Sequence, residues 1–359
     1  MEITIIGAGN GGSAMAADLK IKGHHVSLLK TSSKGDLRHF TTIRSNNNTI
    51  TLEEKNQSSS VQLDVVTTDI SEALTPLTEV VIIFIPTTFH QDIIRRIVPF
   101  LRKKQIIMLQ PGYLGTAFFL KYAHHLDLTI VEAESSPLDC RITKPGLVTV
   151  SFRNVCNPIG VYPVSNGPLV LEKLESFGYN FKLLKSVVES ALHNPNLIVH
   201  TIGGIMSIPR IDYSNGEYWM YKEVFSPRVW NLVEQLDSEK MLVLEKLGFE
   251  PLSYLEACKI RNSPADSSES AKSIFDHYAQ FDSIKGPLVS NSRYITEDVP
   301  QGLVLLESLG AYLGVETPIC SSLITIAGSF LEIDYRLDSR SLDTLGEKYV
   351  LPLLNHTED

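Results

Sequence analysis

Four short apolar runs punctuate the first part of the chain: Ile3 to Ile6, Val26 to Leu29, Val80 to Ile85 and Ile106 to Leu109. The third is stopped by Pro86 and the fourth by Pro111-Gly112. Continuous apolar runs bounded by Gly or Pro fit strands buried on both faces, as in a parallel sheet covered by helices. Between the second and third runs, Thr49 to Leu52 and Val61 to Val65 flank the polar stretch 53–60, which predicts a small hairpin with a long loop. A β-like texture returns at Leu147 to Phe152 and at Ile159 to Tyr162. From about Val187 the pattern turns helical, over 195–206, 227–247, 252–259, 297–313 and 318–331, with Gly248 and Gly314 as stops. Residues 262–270 read as a polar loop. The pattern therefore predicts an α/β domain over 1–186, followed by an all-α domain over 187–359.

Composition narrows the function classes. The 359 residues are 43% hydrophobic and 20% charged, an ordinary globular balance. Thirty-two basic against 41 acidic residues give a net charge of −9, which argues against a broad cationic surface for nucleic acid or anionic lipid. No apolar run approaches the roughly 20 residues of a membrane helix. Met1 runs almost directly into a core strand, leaving no room for a signal peptide, so a cytoplasmic protein is expected. Cys140, Cys156, Cys258 and Cys320 are scattered with no C-x-x-C, so neither a disulfide framework nor a metal site is expected.

The strongest local signal is Gly7-Ala8-Gly9-Asn10-Gly11-Gly12, which ends the first strand and opens a helix of small residues. Gly7 allows the tight turn, Gly9 the approach of a pyrophosphate, and Gly12 close helix–strand packing; helix N–H groups then meet the phosphates. Asn10 and Gly11 belong to the same turn, and Pro86, at the end of the third strand, is expected to border the same cofactor. A site for NAD usually places an acid at the end of the second strand. Here that place reads Lys30-Thr31-Ser32-Ser33-Lys34. Hydroxyls and lysines suit a 2′-phosphate, so NADP is the preferred cofactor and NAD the alternative.

In the helical half, Asn194-Pro195 reads as a helix start, with Asn196 and His200 one turn apart on a single face. His193, just before it, is the competing histidine. Arg293 and Asp298 sit in a short connection where Thr296 is expected to cap the next helix and Pro300 falls in its first turn. Tyr218-Trp219-Met220-Tyr221 could wall a pocket or pack in the core, and Glu134 and Arg141 could be a buried pair near the site or ordinary supports.

These segments together resemble the octopine/nopaline (opine) dehydrogenases of bacterial type. The resemblance rests on the glycine opening, Asn196-x-x-x-His200, and Arg293-Tyr-Ile-Thr-Glu-Asp298-Val-Pro-x-Gly-Leu-Val. Gln110-Pro111-Gly112, Glu134-Ser135-Ser136 and Cys140-Arg141-x-x-x-Pro145-Gly146 add to it. It implies an α/β Rossmann-type dinucleotide-binding domain over 1–186 followed by an all-α substrate domain over 187–359, and reductive condensation of an α-keto acid with the amine of an amino acid, using NAD(P)H. It also implies His200 as general acid/base, Asp298 as its orienting partner, Arg293 as the clamp for a substrate carboxylate, and Asn196 beside nicotinamide and substrate. A homodimer is expected. The competing readings are a hydride transferase like ketopantoate reductase or glycerol-3-phosphate dehydrogenase, which would want a lysine on the His200 helix, and a catalytically silent NADP(H) sensor.

Overall fold

The computed structural model describes residues 1–32, 36–55, 57–283 and 285–354. The chain divides into two compact units, Met1–Val187 and a second beginning at Val188. The first carries β1 (Glu2–Ile6), β2 (His25–Leu29), β3 (Thr49–Glu54), β4 (Gln57–Gln62), β5 (Val65–Thr67) and β6 (Val80–Ile83). It continues with β7 (Ile106–Leu109), β8 (Thr129–Ala133), β9 (Leu138–Lys144), β10 (Leu147–Arg153), β11 (Asn157–Tyr162) and β12 (Phe181–Leu183).

Eight of these form one sheet in the order β12-β11-β8-β7-β6-β1-β2-β5. From β5 to β8 all neighbours are parallel, and β11 joins β8 antiparallel. Every residue of β6, β7 and β8 is buried, as apolar runs covered on both faces require. Strand order reverses at β1, flanked by β2 and β6, so the Rossmann crevice opens at the carboxyl ends of β1 and β6.

The second sheet, β4-β3-β10-β9, revises the expected hairpin. β3 and β4 pair antiparallel from Thr49↔Gln62 to Glu54↔Gln57, so most of stretch 53–60 is strand rather than loop. Val65 belongs instead to β5 in the large sheet. β4 is an edge strand exposed almost throughout, and its serines and glutamines carry no apolar signal for pattern reading to find.

Helix α1 (Asn10–Ile21) lies between the two sheets, packing against β1 and β2 as well as all four strands of the smaller sheet. Gly12 to Leu19 are all buried, as a helix without a solvent face demands. Polar ties fix it there. The Ile142 N–H donates to Asn10 Oδ1 at 2.9 Å. His39, on α2 (Arg38–Ser45), bridges Ser13 Oγ at 3.1 Å and the Gly146 N–H at 3.0 Å. Because its Nδ1 accepts from that N–H, His39 must be neutral, with its proton on Nε2. Arg153 of β10 reaches Asp18 at 2.6 Å and Glu54 at 2.8 Å, while Lys22 meets Asp18 at 2.8 Å. Burial pushes the Asp18 carboxyl up, but the hydrogen bonds from Arg153 and Lys22 outweigh it and hold it below its ordinary range.

The second unit is helical. Its central helix, Asn196–Met206, packs against Pro227–Lys246, Pro318–Leu331 and the short helix Arg293–Thr296. The expected helix over 297–313 is broken: a π turn at Val299–Leu303 precedes the helix Val304–Leu313. Pro300 has no N–H to enter a regular ladder, and the widened turn absorbs the defect. Thr296 does not cap that helix, because it ends the preceding one and its hydroxyl donates to the Ser292 carbonyl at 3.1 Å. Tyr218 and Met220 are core, packed on Ile211. Among the described residues, no helix is long and apolar enough to cross a membrane, and no cluster of His, Cys, Asp or Glu could hold a metal.

His24, His39 and His193 are buried, and burial is the first cause holding each below the usual 6.5. For His193 the nearby Lys240 and Arg261 push further in the same direction. The unfolded chain takes up these protons near 6.5 while the fold resists them, so their stabilisation is present above that pH and lost as pH falls below it. Thermal melts should show Tm declining as pH drops from about 6.5 toward 5. A flat profile over that interval would contradict the neutral assignments.

Candidate active site

In the first unit the glycine turn has a shape that only part of its own protein fills. Gly7 has φ +124°, and a Cβ there would lie 2.2 Å from the Phe84 carbonyl oxygen. A Cβ on Gly12 would lie 1.9 Å from the Gly7 carbonyl oxygen, and one on Gly11 would strike the Phe84 ring at 2.2 Å. Gly9 differs: apart from its own chain neighbours, nothing lies within 4 Å of where its Cβ would be. It is also the N-cap of α1 and provides no side-chain cap, so first-turn N–H groups are left for an anion. These residues fit a dinucleotide pyrophosphate. Asn10 is more constrained than expected, since its side-chain oxygen is committed to Ile142, which leaves its side-chain NH2 and its backbone N–H as the donors to offer a ligand. Pro86 follows β6 and starts the short turn Thr87–Phe89.

Beyond β2, the Lys30 N–H donates to the Thr67 carbonyl at 3.0 Å, Thr31 is half-buried and Ser32 is exposed. Ser33 and Lys34 lie outside the described residues. Asp36, the first acid after β2, is already paired with Arg38, whose Nε and Nη2 donate to it at 3.0 and 2.6 Å. That hydrogen bonding holds its carboxyl at about 2.

A feature that sequence reading missed lies after β7. The Glu132 carboxylate is fully buried and accepts from the N–H groups of Leu114 and Thr116 at 2.9 and 2.8 Å, and from the Thr116 hydroxyl at 2.6 Å. It holds a turn in which Tyr113 and Leu114 both adopt left-handed φ, 48° and 58°. Arg141 does not show the suggested pairing; its near contacts are the Cys140 carbonyl at 2.8 Å and Asp139 at 3.8 Å.

In the second unit, Asn194 Oδ1 accepts the Asn196 N–H at 3.0 Å and starts the central helix. Asn196 and His200 are half-buried on one face, while Leu197 to Val199 are buried. His200 Nδ1 lies 2.9 Å from Asp298 Oδ2, and the Asp298 side chain is only 5% exposed. Burial pushes the Asp298 carboxyl above its ordinary range, against the opposing pull of its hydrogen bond to His200. Tyr294 stacks on the imidazole, with ring centroids 3.7 Å apart and planes 5° from parallel. Arg293 donates through Nε to buried Glu297 at 2.5 Å, and its side chain is 66% exposed. One short segment, 293–298, thus brings an aromatic ring and a buried carboxylate to His200 and carries the Arg293–Glu297 pair as well. His193 is 3% exposed, and neither of its ring nitrogens has a hydrogen-bond partner. A buried imidazole that resists protonation is poorly suited to exchange protons with a substrate.

Residues 183–331 match the family model described as NAD/NADP octopine/nopaline dehydrogenase, alpha-helical domain. Residues 2–112 match that of the NAD-dependent glycerol-3-phosphate dehydrogenase N-terminus. The opine dehydrogenase of Arthrobacter sp. (strain 1C) is 28% identical over 95% of this chain and 94% of its own. The chain thus resembles the octopine/nopaline (opine) dehydrogenases, through its helical part by family model and over nearly its whole length by this relative. In fold it is similar to an octopine dehydrogenase solved with NADH and agmatine, with TM-score 0.76, 16% identity and coverage of 99% of this chain and 98% of that one. It is also similar to yersinopine dehydrogenase solved with NADP+, at TM-score 0.68, 16% identity and 99% and 94% coverage. The match over 2–112 lies within the first unit and the match over 183–331 falls almost wholly in the helical unit, a nucleotide-binding part followed by a helical part.

The glycine geometry separates cofactor from fold. Gly9→Ala should leave Tm within a few degrees but weaken NAD(P)H binding by tenfold or more, because its methyl enters ligand space. Gly12→Ala should instead destabilise the fold, because its methyl would strike backbone. Thermal melts and NAD(P)H fluorescence titrations of both variants check this, and equal loss of Tm in the two would refute it.

Proposed function

We propose that this protein is an opine dehydrogenase: it joins an α-keto acid to the amine of an amino acid by NAD(P)H-dependent reduction, and catalyses the reverse oxidation. The observation that carries this reading is His200, held at Nδ1 by the buried carboxylate of Asp298, five residues after the exposed guanidinium of Arg293. Condensation gives an imine and water. The nicotinamide, when bound, supplies hydride to the imine carbon, and the nitrogen must end protonated. With Nδ1 committed to Asp298, His200 transfers that proton through Nε2, while the carboxylate stabilises the imidazolium. Arg293 offers a planar fork for the keto acid carboxylate, oriented by Glu297 through Nε, the nitrogen that an end-on clamp does not need. Asn196, one turn before His200, contributes to the same face.

The helix Asn196–Met206 carries no lysine, which counts against the ketopantoate-reductase-like and glycerol-3-phosphate-dehydrogenase-like alternatives. A silent sensor has no need of an acid/base pair beside a carboxylate clamp. NADP is the preferred cofactor in this reading: Lys30, Thr31 and Ser32 follow β2, and the nearest acid, Asp36, is occupied by Arg38. A cytoplasmic location and a homodimer complete the proposal, the latter checked by light scattering.

A screen of keto acid and amino acid pairs, following NADPH and NADH absorbance, tests the activity directly. His200→Ala should lower kcat by roughly 10²–10⁴-fold, leaving NADPH affinity nearly unchanged. Arg293→Lys should act chiefly by raising KM for the keto acid, because a point charge replaces a fork. Near-normal turnover by His200→Ala would overturn the assignment. Thr31→Asp or Ser32→Asp should shift preference from NADPH toward NADH through repulsion of the 2′-phosphate. Tighter NADH than NADPH binding by the unaltered protein would refute the cofactor preference.

A further inference from the structure

We propose that Tyr294 is a positioning residue for His200, its ring setting the plane of the imidazole while Asp298 sets its edge. This rests on the acid/base reading of His200 and adds a second constraint to it. A single hydrogen bond at Nδ1 fixes one atom of the ring but leaves rotation about that contact, since the terminal torsion of histidine is broad. The aim of Nε2 is then undetermined. A face-to-face contact removes that freedom, and the stack here is close and nearly parallel, at 3.7 Å and 5°.

The chain is built to deliver both constraints together. Tyr294 lies four residues before Asp298, so one compact segment supplies the ring plane and the carboxylate. Ile295, fully buried, anchors that segment. Gly204 lies one helical turn beyond His200, on the same face. A Cβ at Gly204 would fall 3.0 Å from Ile295 Cγ1 and 3.4 Å from Tyr294 Cβ. Its missing side chain is what lets the tyrosine segment come down onto the helix at stacking distance. An aromatic face is also an electrostatically favourable neighbour for an imidazolium, the form that delivers a proton. The phenol hydroxyl is not part of the argument, so phenylalanine should serve equally.

The test compares Tyr294→Leu, which keeps apolar bulk but removes the plane, with Tyr294→Phe, which keeps it. Tyr294→Leu should lower kcat by about tenfold or more, as misplacement of a reacting group does, with KM for the keto acid little changed. Its solvent deuterium isotope effect on kcat should rise as proton transfer becomes slower. Tyr294→Phe should stay near the unaltered enzyme on all three measures. A second readout needs no turnover: carbethoxylation of His200 by diethylpyrocarbonate, followed by peptide mass spectrometry, should be several-fold faster in Tyr294→Leu than in the unaltered protein or Tyr294→Phe. Unaltered kcat in Tyr294→Leu, equal impairment of Tyr294→Phe, or a change in KM alone would overturn the proposal, as would equal carbethoxylation rates in all three. If no keto acid and amine pair is turned over by the unaltered protein, the functional reading fails, and the carbethoxylation rates still decide the stack.

Discussion

Helix α1 lies between two sheets, and the thickness available to it dictates the residues it can carry. Ala14, Ala16 and Ala17 are fully buried, and Gly7, Gly11 and Gly12 before them have no room for a methyl. The outer face, which in a simpler Rossmann domain would meet water, is closed by β9, β10 and the β3–β4 hairpin. A polar group on that face must therefore find a partner in the smaller sheet, and Asn10, Ser13 and Asp18 each do so directly or through His39. The Asp18–Arg153–Glu54 chain shows the energetic character of this arrangement. Only Asp18 is buried, while Arg153 and Glu54 remain partly exposed, so water screens the pairs and their attraction is offset in part by the cost of desolvating the carboxylate. The network thus specifies where the smaller sheet sits more than it adds net stability.

The helical unit solves a related problem with two adjacent acids. Glu297 and Asp298 are both almost fully buried, yet they serve different cations, Arg293 and His200. Neighbouring residues on an irregular turn diverge in direction, and the π turn at Val299–Leu303 sets the chain path just beyond them. The outcome is a division of labour: one carboxylate orients a permanent charge, and the other orients a ring whose charge changes during the proposed reaction. Burial makes each contact stronger than it would be in water.

Pattern reading found the elements whose burial is uniform and lost those whose burial is mixed. β6 and β7 are apolar without interruption, β1 is broken only by Thr4 after its first residue, and all three are legible at once. β8 is just as buried, but Thr129 and Glu132 break its run, and Glu132 is tolerable there only because backbone N–H groups of a distant turn satisfy it. β4 was read as loop because an exposed edge strand of serines has no apolar face. At the site, His200, Arg293 and Asp298 were nominated by motif and residue chemistry. Tyr294 stood inside the same motif without a role, and Gly204 was not singled out at all. Their importance is a matter of approach between segments 98 residues apart, measured from His200 to Asp298, and no local spacing encodes that distance.

The closing of α1 by the smaller sheet has a temporal side. The Asn10 contact to Ile142 joins residues 132 apart, and the Asp18 contact to Arg153 joins residues 135 apart. A chain emerging from the ribosome makes β1, α1 and β2 first, yet the covering strands β9 and β10 arrive only after some 150 residues, at roughly 5–20 residues per second. For several seconds the nascent helix therefore has an apolar flank with nothing to bury it and a glycine turn not yet pinned. Contacts of such long sequence separation also slow folding, because loop closure must precede any gain from the contact. The nucleotide site, although written in the first dozen residues, is among the last parts of its unit to mature.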